Sequence, residues 1–263
     1  MKKRRILAIA IAGVLALGMV ACGKKDDAKT IKIGVSPSPH KAIVMAAKPL
    51  LEKKGYKVEI IEFQDYVKPN IALNDKELDA NFFQHIPYLN DMVKKENLKI
   101  EATVKVHIEP MALYSKKIKN INDLKDGSTI AIPSDSTNGA RALKVLEHGG
   151  LIKVKSGDLV TAKDITENKK NLKFKEIEAA QIPRSLDDVD AAIINGNYAL
   201  DAGFNPVKDG LLLEESSSPY ANVVAVRTAD KDTQKIKDLD AALNSPEVKK
   251  YIESQNGKII PAF

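Results

Sequence analysis

The sequence predicts an α/β protein of two lobes, each a mainly parallel sheet covered by helices, and three observations carry that reading. Short apolar or alternating strands are separated by apolar-periodic helical segments rather than by hairpin turns, the order that parallel sheets require. The series restarts near residue 115 with no long linker, which favours two lobes sharing crossover strands over independent domains. The 263 residues, 44% hydrophobic and 29% charged, are enough for one large or two small α/β domains and exclude a disordered tail, a collagen or a disulfide scaffold.

Ile31, Ile33 and Val35 alternate in a strand over 30–36, and Ser36-Pro37-Ser38-Pro39 breaks it before a helix over 40–54 that Pro49 should kink or shorten. A second strand covers 56–63, and Pro69 opens the short helix that follows. A brief strand over 80–84 leads to Pro87 at a helix N1 position and a helix over 88–97. Residues 99–107 and 111–115 are strand-like. The second series opens at Asn122 with a helix, then Gly127 and a strand over 129–133. A Ser/Asp/Thr/Asn loop leads into a helix over 139–148 closed by Gly149 and Gly150. Further strands cover 172–179, 189–194 and 222–227, and the last helices lie near 231–243 and 246–255.

The amino terminus has the parts of a secretory leader: Lys2, Lys3, Arg4 and Arg5, an apolar run over 6–21, and small or apolar residues before Cys22. The run is shorter than the ~20 residues that span a bilayer, so cleavage is expected rather than permanent anchoring. Cys22, the one cysteine, ends Met19-Val20-Ala21-Cys22, which resembles a bacterial lipobox although Leu and then Ala or Ser are usual where Met19 and Val20 stand. The resemblance implies a signal peptide over 1–21, acylation of Cys22 and a lipidated tether over 22–29. Four of the 41 basic side chains fall in the first five residues, leaving 37 against 35 acids beyond the leader, so no basic face exists for nucleic acid. A single cysteine also excludes an intrachain disulfide and any CxxC site.

No GxSxG, P-loop, GxGxxG, HExxH or EF-hand signature is present. His40, His85, His107 and His148 lack companions at ligand spacing, so no metal or cofactor is expected, the alternative being a zinc site assembled from distant His and Asp residues, and Asp187, Asp188 and Asp190 read as a charged loop. Binding features are clearer. Phe63, Tyr66, Phe82, Phe83 and Tyr88 are five of the 13 aromatics, and positions 82, 85 and 88 recur every three residues across a strand-to-helix turn. They form either a pocket wall, which His85 and the polar neighbours Asn81 and Gln84 favour, or an aromatic mini-core. Arg141 follows the capping-rich Ser134–Asn138 loop in the first turn of a helix, where a cation opposes the macrodipole and calls for an anion. That anion is either a ligand carboxylate or a surface acid such as Asp135. Asn195, beyond an apolar strand, and Asn222, at the start of another, stand where parallel sheets bind ligands, or serve as turn residues.

The leader, Gln64–Asn70, the Phe-Gln-His-Ile-Pro-Tyr-Leu run from Phe83, Tyr114–Lys117, Pro133–Arg141, Gln181–Asp188 and Ser218–Asn222 together resemble the methionine-binding lipoproteins of bacterial ABC importers, the MetQ/NlpA family. The resemblance covers essentially the whole chain. It implies a two-lobed periplasmic-binding-protein fold, type II-like, with two crossover segments near 111–115 and 222–227 and the ligand in the central cleft. Lobe one would be 30–112 plus 225–263, and lobe two 113–224. By the same resemblance Arg141 grips the α-carboxylate, Asn195 and Asn222 accept from the α-ammonium, and Asn138 assists. Tyr66, Phe82, His85 and Tyr88 surround the side chain, and no carboxylate is needed in the pocket because the ligand is a zwitterion. The implied protein is a lipid-anchored, palmitate-bearing receptor on the extracytoplasmic face of the cell membrane, not an enzyme. It delivers L-methionine to a permease with an ATPase subunit. Another methionine form, such as a methionine-containing dipeptide, is the alternative ligand, and a surface-anchored hydrolase the alternative class.

Overall fold

The computed structural model describes residues 28–215 and 219–263, so the leader and Cys22 lie outside the described residues. In chain order the strands are β1 (Thr30–Val35), β2 (Lys57–Glu62), β3 (Ala80–His85), β4 (Ile100–Ile108), β5 (Ala112–Tyr114), β6 (Thr129–Pro133), β7 (Lys153–Val154), β8 (Ile165–Glu167), β9 (Lys173–Ile177), β10 (Ala191–Ile194), β11 (Leu212–Leu213), β12 (Ala221–Arg227) and β13 (Ile260–Pro261). The helices are α1 (Ala42–Lys53), α2 (Lys68–Asn74), α3 (Ile86–Glu96), α4 (Ser136–His148), α5 (Gly196–Asp201), α6 (Pro206–Asp209), α7 (Gln234–Leu243) and α8 (Pro246–Glu253).

Two sheets repeat one pattern. The first runs β2-β1-β3-β12-β4-β13 and the second β9-β6-β10-β5-β11. In each, three strands are parallel and the next is an antiparallel insertion, β12 in the first sheet and β5 in the second. The molecule is a two-lobed α/β protein with one such sheet in each lobe. All of β12, from Ala221 onward, pairs with β3 and β4, so the chain has returned to the first sheet before 225, earlier than expected. Position 222 therefore belongs to the first sheet.

Each sheet is held by its own core. The inward side chains of β1, Ile31, Ile33 and Val35, pack on Ile43, Val44, Ala47 and Leu51 of α1 and on Leu239, Leu243, Val248 and Ile252 of α7 and α8. In the second, Ile130 and Ile132 of β6 meet Ala142, Leu143 and Leu146 of α4. Each such large side chain contributes roughly 1.5–3 kcal/mol by burial, and truncating one to alanine costs about 2–5 kcal/mol.

Three local expectations differ. Helix α1 runs through Pro49 to Lys53. The bond that proline forfeits belongs to the carbonyl of Met45, a residue 49% exposed, where water can replace it. The helix expected from Asn122 is a single 3-10 turn, Ile121–Asp123, capped by the Asn120 side chain and followed by Gly127 at φ +75°. Helix α4 starts at Ser136, because Asp135 is its N-cap and accepts the Asn138 N–H at 2.9 Å. Arg141 thus sits in the second turn, where the macrodipole argument for an anion is weaker.

Candidate ligand-binding site

Four strand ends converge. His85 ends β3, Asn138 and Arg141 lie on α4 just beyond β6, Asn195 follows β10, and Asn222 lies opposite His85 in the antiparallel β12–β3 register. The pocket they form is small, and Tyr66, His85, Tyr88, Asn138, Arg141, Asn195 and Asn222 line it. Phe83, Gln84, Glu109, Gly196 and Asn197 complete the wall.

Phe82 does not line the pocket, against expectation. It is fully buried in the first core, with its ring edge-on to His40 at 4.7 Å and to His107 at 5.3 Å. Phe83 takes the pocket position instead, 5.9 Å from the Tyr66 ring and 6.3 Å from Tyr88. Strand alternation places Phe82 beside Ala80 on the core face and Phe83 on the other, and a bulge marks the same point: Gln84 pairs with Val223 and Phe82 with Val224, leaving Phe83 as the extra residue. Behind this wall the amides of Asn70, Asn81 and Gln84 bond to one another and to the Pro69 carbonyl, fixing the start of α2 against β3. Asn81 belongs to that buried network rather than to the pocket wall. Burial raises the Tyr66, Tyr88 and Tyr198 phenols, so all three are neutral donors.

The polar end is a chain of oriented amides. His85 Nδ1 accepts the Tyr88 N–H at 3.2 Å, so the proton is on Nε2, which donates to Asn138 Oδ1 at 3.0 Å. Asn195 Nδ2 donates to the same oxygen at 2.8 Å, and Asn138 Nδ2 donates to Asp135. Asn138 therefore spends both ends of its amide on the protein and holds His85 and Asn195 in place. Burial, helped by the Arg141 charge, depresses the His85 pKa to about 3, and the ring is neutral. Two buried atoms on this wall have no partner among the described residues: the acceptor Asn195 Oδ1 and the donor Asn197 Nδ2. A buried polar atom left unpaired costs ~1–3 kcal/mol, so a ligand with a donor for one and an acceptor for the other is favoured.

Arg141 is buried, not the surface residue of the alternative reading, yet it has an acid. Nε donates to Glu214 Oε1 at 2.8 Å and Nη2 to Glu214 Oε2 at 2.5 Å, while Nη2 also reaches the Glu109 carbonyl at 2.8 Å. The Tyr220 ring lies 4.4 Å from the guanidinium. Neither Glu214 nor Tyr220 stood out in the sequence, because both act from the return segment into β12.

A carboxylate does line the pocket, against the expectation that none is needed. Glu109, 5% exposed between β4 and β5, accepts from His107 Nε2 at 2.7 Å, and His40 Nε2 is 3.1 Å away. Its Cβ lies so close to Gly196 that a side chain there would approach to 2.6 Å, which explains why glycine opens α5. Burial lowers the pKa of His40 to about 4 and of His107 to about 3, and raises that of Glu109. Among the described residues these three groups, two of them near in sequence and His40 far from both, could hold a metal ion. However, His107 Nδ1 has no partner, whereas a ligating imidazole is ordinarily held through its other nitrogen, and the short contacts are hydrogen-bond lengths.

Bonds cross between the two sheets. Besides His85–Asn138, Tyr66 bonds Asn197, the Tyr198 hydroxyl reaches the Gln64 carbonyl at 3.2 Å, and Ser136 bonds Asp91 at 2.9 Å. A two-sheet α/β protein closed on an enclosed pocket of amides, aromatics and a buried arginine is a solute-binding protein. Residues 31–263 match the NlpA lipoprotein family, and the chain belongs to it. It is 44% identical over 245 residues to the D-methionine-binding lipoprotein MetQ of Escherichia coli (strain K12), covering 91% of this chain and 90% of that protein. A nutrient-binding protein of Burkholderia cenocepacia, whose structure was solved bound to methionine, superposes with a TM-score of 0.85 at 46% identity, covering 89% of this chain and 100% of that one. Lipoprotein Tp32 of Treponema pallidum gives 0.85 at 37% identity over 89% and 99%. These proteins are named for binding or as lipoproteins, and the comparisons do not favour the hydrolase reading. Among the described residues no helix is long and apolar enough to cross a membrane.

Proposed function

We propose that this protein captures methionine in the cleft between its sheets and delivers it to an ABC permease driven by an ATPase subunit. The observation that carries the reading is the division of one small pocket into an aromatic wall and an amide end with one unpaired acceptor and one unpaired donor. An amino acid's ammonium suits Asn195 Oδ1 and Asn222 Oδ1; its carboxylate suits Asn197 Nδ2 and Arg141. Since Nε and Nη2 of Arg141 serve Glu214 and the Glu109 carbonyl, the ligand meets the guanidinium through Nη1. The thioether then lies among Tyr66, Phe83 and Tyr88, where sulfur against ring edges is favourable by ~0.3–1.5 kcal/mol.

The lobes are about 30–110 with 221–263, and about 111–215, hinged where the chain crosses before β5 and before β12. Acyl chains on Cys22, each worth ~0.8 kcal/mol per buried methylene, hold the receptor on the extracytoplasmic membrane face. Labelling by a fatty-acid analogue that persists in Cys22→Ser would contradict that anchor. Native mass spectrometry of gently purified protein tests the ligand: a bound mass equal to methionine supports the reading, a dipeptide mass replaces it with the alternative form, and any unrelated bound solute overturns it.

A further inference from the structure

Glu109 is the feature that a receptor for a neutral zwitterion does not require. Its carboxylate is buried, lines the pocket, and is approached by N–H donors: His107 Nε2, His40 Nε2 and the Asn197 backbone. The direction of the His40 bond follows from Asn222. Its Oδ1, which can only accept, is 3.1 Å from His40 Nε2, so that nitrogen carries the proton and points it between Asn222 and Glu109. Two imidazole N–H groups and a backbone N–H around one carboxyl group suit its anionic form.

The other charges of the wall cancel. Arg141 and Glu214 bond each other, and the contact of Arg141 with Glu109 is to the backbone carbonyl. Among the described residues no lysine or arginine bonds the Glu109 carboxylate. The pocket therefore has a negative pole, and Asn195 Oδ1, an acceptor without a partner, lines the same space.

We propose that Glu109 is the anionic acceptor for the ligand's primary ammonium group, that it makes a free amine a condition of binding, and that His40 and His107 are positioning residues that hold its carboxylate toward the pocket. This rests on the amino-acid reading above and adds to it a rule of selectivity. Gly196 is part of the device, because any side chain there would displace Glu109.

The test is a titration matrix on ligand-stripped protein with L-methionine and its 2-hydroxy analogue, which replaces the amine by a hydroxyl. Wild-type protein should prefer methionine by at least about tenfold to a hundredfold, the range of one charge-assisted bond. Glu109→Gln should weaken methionine by a similar factor and leave the hydroxy acid nearly unchanged, so the preference collapses. His107→Phe should narrow the preference to a smaller extent, an effect that general loosening of the fold, which weakens both ligands alike, does not produce. Should Glu109→Gln fold poorly, Glu109→Asp, with the charge drawn back, is expected to reduce the preference in the same sense. Equal binding of the two ligands by wild-type protein, or an undiminished preference in the folded Glu109 variants, overturns the proposal while leaving methionine as the ligand. Failure of wild-type protein to bind methionine overturns both.

Discussion

The Tyr66 hydroxyl donates to Asn197 Oδ1 at 2.5 Å, joining the segment before α2 on the first sheet to the first turn of α5 on the second. The same ring lies 4.9 Å from Tyr198, whose hydroxyl returns to Gln64. One residue is thus both a wall of the pocket and a clasp across it. Tyr66→Phe keeps the ring and removes the clasp, and should weaken ligand binding by roughly the net value of one hydrogen bond, ~0.5–1.5 kcal/mol. Calorimetric titration checks this; wild-type affinity in Tyr66→Phe would mean that the clasp adds nothing to the closed form.

Arg141 and Glu214 should be inseparable in stability. Removing the guanidinium strands a buried carboxylate, so Arg141→Ala should lower stability by about 3–5 kcal/mol as well as abolish tight binding. Arg141→Lys keeps the charge but cannot bond both Glu214 oxygens and the Glu109 carbonyl in one plane, and should fall between the two. Urea unfolding beside titration measures both effects, and an unchanged midpoint in Arg141→Ala would refute the buried pair.

Phe82 and Phe83 are adjacent, yet their losses should differ in kind. Phe82→Ala opens a hole under β3 and should cost ~3–5 kcal/mol of stability with the order of ligand preference kept. Phe83→Ala should affect stability less and erode the preference for methionine over norleucine. Thermal unfolding and competition titrations separate them; identical profiles would contradict the placement of the two rings on opposite faces of β3.

Acid should unfold the protein by charging its buried histidines. His85, His107 and His40 have pKa values of about 3, about 3 and about 4 when folded, lowered first of all by burial, against 6.5 in the unfolded chain. The unfolded state therefore binds more protons throughout that window, and stability falls as pH drops from 6.5 toward 4, by at most ~1.4 kcal/mol per pH unit for each ring. Glu109, raised in the folded state, works in the opposite sense as one group against three. Urea midpoints at pH 7, 6 and 5 should decline stepwise, and a flat profile would contradict the neutral, buried assignment.

The polar end of the site was legible because Asn195 and Asn222 stand at strand ends and Arg141 follows a capping-rich loop, features that can be read from apolar runs and capping residues. The choice between Phe82 and Phe83 was not, since it depends on which face of β3 packs on the core, and the pairing with β1 and β12 sets that. Glu109 offered a faint signal, a lone acid among Ile108, Pro110 and Met111, but its meaning needs His40 and His107 beside it, and only the fold brings them there. Glu214 was hidden for the same reason: it precedes the return to the first sheet, and its partner Arg141 lies on α4. Helix α5 was missed because Asn195-Gly196-Asn197 reads locally as a turn, whereas Asn195 is its N-cap.

The central claim is that this cleft is shaped for an unbranched thioether amino acid. Calorimetric titration of ligand-stripped protein with methionine, norleucine, leucine and methionine sulfoxide tests it most directly. Methionine should bind best, norleucine should lose only the sulfur–aromatic part, ~0.3–1.5 kcal/mol, and leucine should lose more because its branch meets Tyr66, Phe83 and Tyr88. The sulfoxide should also bind worse than norleucine, through an oxygen buried without a donor. A preference for leucine or for a charged amino acid over methionine would contradict the account.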